Sequence, residues 1–506
     1  MSNKSLMLQG TASSVGKSVL TAAFCRIFKD DGLRAAPFKS QNMALNSYIT
    51  DEGLEMGRAQ VFQAEAAGIP PKACMNPILL KPTGERDAQV IVNGKVYGNM
   101  NATDYHAFKP QLKQTIYEAF KQLQDESDVV VIEGAGSPAE INLKENDLVN
   151  MGMAAMADAP VLLIGDIDRG GVFASIYGTV MLLEEEERKR IKGVLINKFR
   201  GDFEILKPGL KQLEELTGIP VLGVIPYGSF DIEEEDAEAA RLKSTLIKEK
   251  ALDIRVLRLP RISNFTDFHW LETHPSACVT YINKADEVGS PDLLIIPGTK
   301  NTLADLAFLK EKGIDRAILR ARDQGSMIAG ICGGFQMLGT KLLDPEGVES
   351  QIGELEGLGL LHVETTFFPE KITTQANAEV VAGCFYDEMP AITVGGYEIH
   401  MGKTRLNRDV KPFAMIIDES GAPTRADGAV SEDGKVWGTY LHGIFDHEDF
   451  NRELLSFISD NENMETMVHR ESFLEYKEKQ YGLLAETVRK SVDMRRIYDI
   501  LEGSCQ

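Results

Sequence analysis

Short apolar runs, each closed by glycine, aspartate, glutamate or asparagine and separated by helix-like stretches, dominate the first half of this 506-residue chain. They fall at residues 6–8, 129–132, 161–164, 194–196 and 221–225. Strands that are apolar on both faces belong to a parallel sheet covered by helices, and in such sheets ligands gather at the carboxyl ends of the strands. The second half repeats the pattern at 293–296, 327–331 and 436–441. The chain is therefore expected to be α/β with two sheets, because its length exceeds what one ordinary hydrophobic core serves.

A charged, alanine-rich stretch over 231–250 precedes a new strand-like run at 254–257 and puts the domain boundary near residue 250. The expected order is a nucleotide-binding domain over 1–235, a charged linker over 236–250, a second α/β domain over 251–448 and a helical extension over 449–506. In that extension Leu484, Val488 and Val492 recur at a spacing of four, which stacks them on one helical face for docking.

Composition excludes several classes. A formal charge of −22 with no basic stretch argues against nucleic acid as a partner. The six cysteines are scattered without a CxxC pair, as cytosolic thiols are. No apolar run is long enough for membrane insertion or a secretory signal, so a soluble, cytoplasmic protein is expected.

The segment Gly10-Thr11-Ala12-Ser13-Ser14-Val15-Gly16-Lys17-Ser18 follows a strand and opens a helix whose buried face would carry Leu20, Phe24 and Ile27. Such a loop turns backbone N–H groups toward phosphate oxygens, with Lys17 adding a point charge and the Ser18 hydroxyl available to Mg²⁺. Five residues separate Gly10 from Gly16, where the strict P-loop has four, so the match starts at Thr11. That spacing resembles dethiobiotin synthetase. Thr11, Val15, Gly16, Lys17 and Ser18 are the expected nucleotide contacts, for ATP or GTP. Glu133, closing the 129–132 run, is the second expected Mg²⁺ ligand, since a hard cation takes oxygen donors. Asn197 and Lys198 follow the 194–196 run, where many P-loop proteins contact the base.

In Gly330-Ile331-Cys332-Gly333-Gly334-Phe335-Gln336 a cysteine sits between glycines after a strand, on what should be a tight turn into a helix. A helix N-terminus favours thiolate, and the glycines let a substrate approach, so Cys332 is a candidate nucleophile. Pro297-Gly298-Thr299 resembles the oxyanion loop of class I glutamine amidotransferases, making the N–H groups of Gly298 and Gly333 the expected oxyanion donors. His442 ends an apolar strand, where those enzymes carry their base, and His400 in Gly396-Tyr397-Glu398-Ile399-His400 competes with it. Many class I members carry a glutamate two residues after the histidine. Ile444 stands there, leaving the orientation of the imidazole open, with a backbone carbonyl as one solution.

Three further stretches complete the pattern: Lys39-Ser40-Gln41-Asn42-Met43-Ala44-Leu45-Asn46-Ser47, Met75-Asn76-Pro77-Ile78-Leu79-Leu80-Lys81-Pro82 and Gly165-Asp166-Ile167-Asp168-Arg169-Gly170-Gly171-Val172-Phe173. With Asn264-Phe265-Thr266-Asp267 and the two sites above, they resemble the cobyric acid synthase family of cobyrinic acid amidotransferases over nearly the whole chain. The resemblance implies a dethiobiotin synthetase-like P-loop domain followed by a class I glutamine amidotransferase-like domain. It also implies ATP and Mg²⁺ as cofactors and glutamine as ammonia donor. The implied reaction amidates the b, d, e and g carboxylates of adenosylcobyrinic acid a,c-diamide, each through an acyl phosphate. That family, too, lacks the triad glutamate. Gln41, Asn42, Asn46, Asp166, Asp168 and Arg169 are the implied corrinoid contacts.

Two rivals follow. The sister enzyme that amidates the a and c carboxylates is disfavoured by Gln41-Asn42-Met43 and Asp168-Arg169-Gly170-Gly171. A partitioning-type ATPase switch with an inactive amidotransferase module is disfavoured because Thr11-Ala12 replaces the signature lysine and both Cys332 and His442 are present. The sequence leaves oligomeric state open.

Overall fold

The computed structural model describes residues 4–84, 87–228, 230–232, 252–407, 410–459 and 472–504. The linker expected over 236–250 lies outside them. The chain forms two compact units, 1–44 with 55–233 and 475–506, and 45–54 with 234–474.

The first unit is built on six parallel strands, β1 (Lys4–Gly10), β2 (Ala35–Phe38), β3 (Val129–Glu133), β4 (Val161–Asp166), β5 (Ile191–Phe199) and β6 (Val221–Pro226), in the order β6-β5-β4-β1-β3-β2. Except in the partly covered edge strand β6, their central residues are buried on both faces, which is why they read as apolar runs. Strand β1 lies between β3 and β4 in a register that pairs Leu8 with Glu133 and Gly10 with Ile164, while Asp166 pairs with Asn197. The carboxyl ends bearing the loop after Gly10, Glu133, Asp166 and Asn197 thus share one edge. Helix α1 (Lys17–Asp30) buries Leu20, Phe24 and Ile27 against this sheet, as its periodicity predicts.

The second unit carries β7 (Leu252–Leu257), β8 (Ala277–Ile282), β9 (Leu293–Ile296), β10 (Met327–Ile331), β13 (Ala429–Val430) and β14 (Val436–Thr439), in the order β8-β7-β9-β10-β14-β13. All pairings are parallel except β13 with β14. Between β10 and β13 a long antiparallel hairpin, β11 (Val363–Val380) with β12 (Ile392–Leu406), enters a separate sheet. Ile331 lies beside Thr439, so the turn after β10 and the turn after β14 emerge together.

The extension expected over 449–506 divides. Helix Glu448–Ser459 places Phe450, Leu454 and Leu455 in the second unit's core. Helices Phe473–Ser491 and Met494–Leu501 bring Leu484, Val488, Ile497 and Leu501 into the first unit's core, with Leu6, Phe24, Phe28 and Leu222. The spacing of four foresaw the docking face, but not that the two ends of the extension serve different cores.

Candidate functional site

In the first unit the loop after β1 wraps the N-terminus of α1. Gly16 takes φ 98°, and a Cβ there would lie 2.3 Å from the Asn197 side-chain nitrogen, so only glycine fits. Asn197 in turn donates to the Val15 carbonyl (2.8 Å), and Thr11 N–H donates to Ile164 O (2.9 Å). Lys17 reaches the carbonyls of Ala12 (2.8 Å) and Gly136 (3.0 Å), which holds its ammonium over the loop. Lys198, in a left-handed conformation, bonds Ser14 O (2.7 Å) and the Asp166 carboxylate (2.9 Å).

Glu133 is nearly inaccessible and accepts from Ser18 Oγ (2.8 Å), Lys39 Nζ (2.9 Å) and Gln63 Nε2 (2.7 Å). Burial alone would raise its pKa, but the Lys39 charge and these hydrogen bonds outweigh burial and hold the carboxyl below the ordinary range. An ionised carboxylate 2.8 Å from a serine hydroxyl offers two oxygen donors beside the phosphate loop. That donor set fits Mg²⁺, which takes few protein ligands and keeps waters and phosphate oxygens. Nothing in the sequence alone marks Lys39 or Gln63 as partners of Glu133, although Lys39 begins one of the quoted stretches.

The implied corrinoid contacts disperse. Gln41 and Asn42 lie on a short strand, Gln41–Met43, of a four-stranded side sheet of the first unit. There Tyr105 OH donates to Gln41 (2.6 Å), and Asn42 is buried. Asn46 is buried in the second unit. Asp168 and Arg169 are exposed beyond β4, with Asp168 paired to Arg200 (3.1 Å) and Arg169 within 3.8 Å of Asp166.

In the second unit Cys332 occupies the turn from β10 into helix Gly333–Leu338 with φ 51° and ψ −107°, a strained conformation for a non-glycine residue. Its N–H is tied to Thr439 O (2.8 Å), and Sγ faces Ile399 O at 3.5 Å. A Cβ added to Gly333 would come within 3.2 Å of Thr299 N, and one on Gly298 within 3.3 Å of His442 Cε1. The two expected oxyanion segments therefore converge beside the nucleophile and the base.

His442 is buried, and its Nδ1 hydrogen-bonds the Asp267 carboxylate at 2.7 Å. The same carboxylate accepts from Gly443 N–H (3.2 Å). Burial disfavours the imidazolium, but the Asp267 charge and hydrogen bond, with Cys332 beside it, outweigh that and push its pKa up to about 10. The orienting group is therefore a carboxylate from a turn 175 residues upstream, which corrects the expectation that a backbone carbonyl could serve. Ile444 cannot play that part, because its side chain is hydrocarbon and lies buried in the second unit's core. The competing His400 stacks on Tyr440 at 3.7 Å between ring centres and bonds Gly402 O through Nδ1 (2.8 Å). Tyr397 stacks on His442 itself, 5.2 Å between centres and 18° between planes.

Two family models and many curated relatives match this chain. Residues 6–239 match the CobQ/CobB/MinD/ParA nucleotide binding domain, and residues 253–450 match the CobB/CobQ-like glutamine amidotransferase domain. The chain is 56% identical to the cobyric acid synthase of Alkaliphilus metalliredigens over 98% of this chain and 100% of that protein. It is 55% identical to that of Thermoanaerobacter sp. over 98% of both chains, and 54% identical to that of Limosilactobacillus reuteri over 100% of this chain and 99% of that protein. At that identity over full length, the chain belongs to the cobyric acid synthase family of glutamine-hydrolysing ligases.

Proposed function

We propose that the chain amidates the b, d, e and g carboxylates of adenosylcobyrinic acid a,c-diamide, giving adenosylcobyric acid with one ATP and one glutamine per carboxylate. The observation that carries the glutaminase half is the 2.7 Å Asp267–His442 bond beside a cysteine on a strained elbow. A buried imidazole that is protonated near neutrality stabilises a neighbouring thiolate, the form of Cys332 that attacks the amide carbon of glutamine. The tetrahedral oxyanion is held by the N–H groups of Gly298 and Gly333. His442 then gives its proton to the departing ammonia, leaving a thioester on Cys332. Water, deprotonated by His442, attacks the thioester and releases glutamate with the thiolate restored.

In the first unit a corrinoid carboxylate oxygen attacks the γ-phosphorus of ATP and ADP leaves, forming an acyl phosphate. Ammonia attacks the acyl carbon and phosphate departs, so the amide forms at the expense of one ATP. The N–H groups of the loop from Thr11 to Ser18 cradle the phosphates, and Lys17 follows the migrating charge. Ser18 and Glu133 would hold Mg²⁺, which supplies neutralising charge on the phosphate oxygens when bound. Asn197 and Lys198 line the base side, and the exposed Asp168 and Arg169 with Gln41 are the corrinoid-contact candidates that the geometry leaves available.

No helix among the described residues is long and apolar enough to cross a membrane, which suits a cytoplasmic enzyme acting on a polar metabolite. The test is Cys332→Ala. It should abolish glutamine-driven amidation, while ammonium chloride at alkaline pH still supports corrinoid amidation. Glutamine-driven turnover that survives the substitution would refute the assignment of Cys332.

A further inference from the structure

The hydrogen bond that His442 Nδ1 donates to the Asp267 carboxylate ties one edge of the imidazole but leaves the tilt of the ring about that edge to be set by its neighbours. Whether Nε2 faces Cys332 is then decided by what packs on the faces of the ring. Tyr397 covers one face, with planes 18° apart and centres 5.2 Å apart. Its backbone also brackets His442 in both directions, Tyr397 N–H donating to His442 O (3.2 Å) and His442 N–H to Tyr397 O (2.9 Å).

Tyr397 is itself gripped by a segment that the sequence assigns to the other half of the chain. Residues 45–54 interrupt the nucleotide-binding unit and belong to the amidotransferase unit. The Tyr397 hydroxyl donates to Ser47 O (3.1 Å), and the Tyr48 ring stands edge-on to Tyr397 with centres 5.2 Å apart. Gln375 donates to Ile49 O, and Thr373 Oγ1 donates to Gly53 O (3.0 Å). The segment also reaches the turn that carries the imidazole's carboxylate partner, for Ser47 N–H donates to Asn264 Oδ1 (3.0 Å). Asn264 is left-handed at φ 53° and starts the turn that carries Asp267, whose N–H bonds Asn264 O (3.0 Å). One short segment thus holds both the ring stacked on His442 and the turn that bears its carboxylate partner.

We propose that Tyr397 is a positioning residue for His442, and that residues 45–54 set its position through Ser47 and Tyr48. This rests on the reading of Cys332 and His442 as the glutaminase pair. Both ends of the segment continue into the nucleotide-binding unit, so the glutaminase geometry depends on chain that the other unit anchors covalently.

The test uses the full-length chain with Tyr397→Leu, Tyr397→Phe and Asn264→Gly, the last keeping the left-handed turn while removing the anchor for Ser47. Glutaminase kcat and KM are measured over pH, alongside amidation driven by ammonium chloride. Tyr397→Leu should lower glutaminase kcat about tenfold to a hundredfold, the scale of a misplaced catalytic group. KM for glutamine and ammonia-driven amidation should hold near wild type. Tyr397→Phe keeps the stacked ring and should recover most of that loss, and Asn264→Gly should fall between the two. Unchanged kcat in Tyr397→Leu and Asn264→Gly, or an equal loss in glutamine-driven and ammonia-driven amidation, overturns the proposal. Cys332→Ala keeps the two readings apart. If it abolishes glutamine use while the Tyr397 and Asn264 variants match wild type, only the positioning role falls. If it leaves glutamine use intact, the glutaminase pair falls with it.

Discussion

Replacing Asp267 by asparagine keeps the size of the group 2.7 Å from His442 and removes its charge. Glutaminase kcat should fall by roughly 10² or more, because an amide cannot stabilise the imidazolium and can select the wrong tautomer. The alkaline limb of the pH profile should also move toward neutrality, since the Asp267 charge is what lifts His442 to about 10. The same shift has a stability consequence with a definite sign. A histidine whose folded pKa exceeds its unfolded value of about 6.5 stabilises the fold most below pH 6.5, and that contribution is lost as pH rises through about 10. Denaturant titrations at pH 6 and pH 10 should show a loss in wild type that Asp267→Asn reduces. In the other unit, Gly16→Ala forces a Cβ to 2.3 Å from a side chain pinned by its bond to Val15 O. It should cost about 1–3 kcal/mol in strain and weaken ATP binding, read by calorimetry. Cys332, Gly16 and Ser18 were legible in the sequence because each is fixed by its immediate neighbours. The role of Asp267 was not, because the partner it serves lies 175 residues away and only folding brings the two together.

At the scale of elements, strands that are apolar on both faces announced themselves, and so did the loops at their carboxyl ends. The long hairpin β11–β12 did not, because residues 368–375 are partly or fully exposed and its buried positions include Thr365, Ala376 and Ala378, which carry little apolar signal; it bears Tyr397, Glu398 and His400. Residues 45–54 fall inside the nucleotide-binding domain expected over 1–235 but belong to the second unit, since nothing local marks where a chain changes the core it serves. The C-terminal helices were legible as a docking face. Leu484 is fully buried in the first unit's core, so Leu484→Ala should destabilise that unit by about 2–5 kcal/mol. Denaturant unfolding monitored in the presence and absence of ATP would read the change, because nucleotide bound only to the native state adds its own stabilisation.

For the molecule as a whole, the proposed chemistry joins two reactions, acyl phosphate formation assigned to the first unit and release of ammonia from glutamine assigned to the second. Free ammonia is scarce near neutral pH, where most of it is ammonium, so the two reactions have to run in step to avoid wasting either ATP or glutamine. The most direct test incubates the protein with adenosylcobyrinic acid a,c-diamide, Mg-ATP and glutamine, and counts the amides gained by mass spectrometry. Four are expected, at the b, d, e and g positions, with one glutamate and one ADP released per amide. An unmodified corrinoid, in protein shown to bind ATP under the same conditions, would contradict the proposed function.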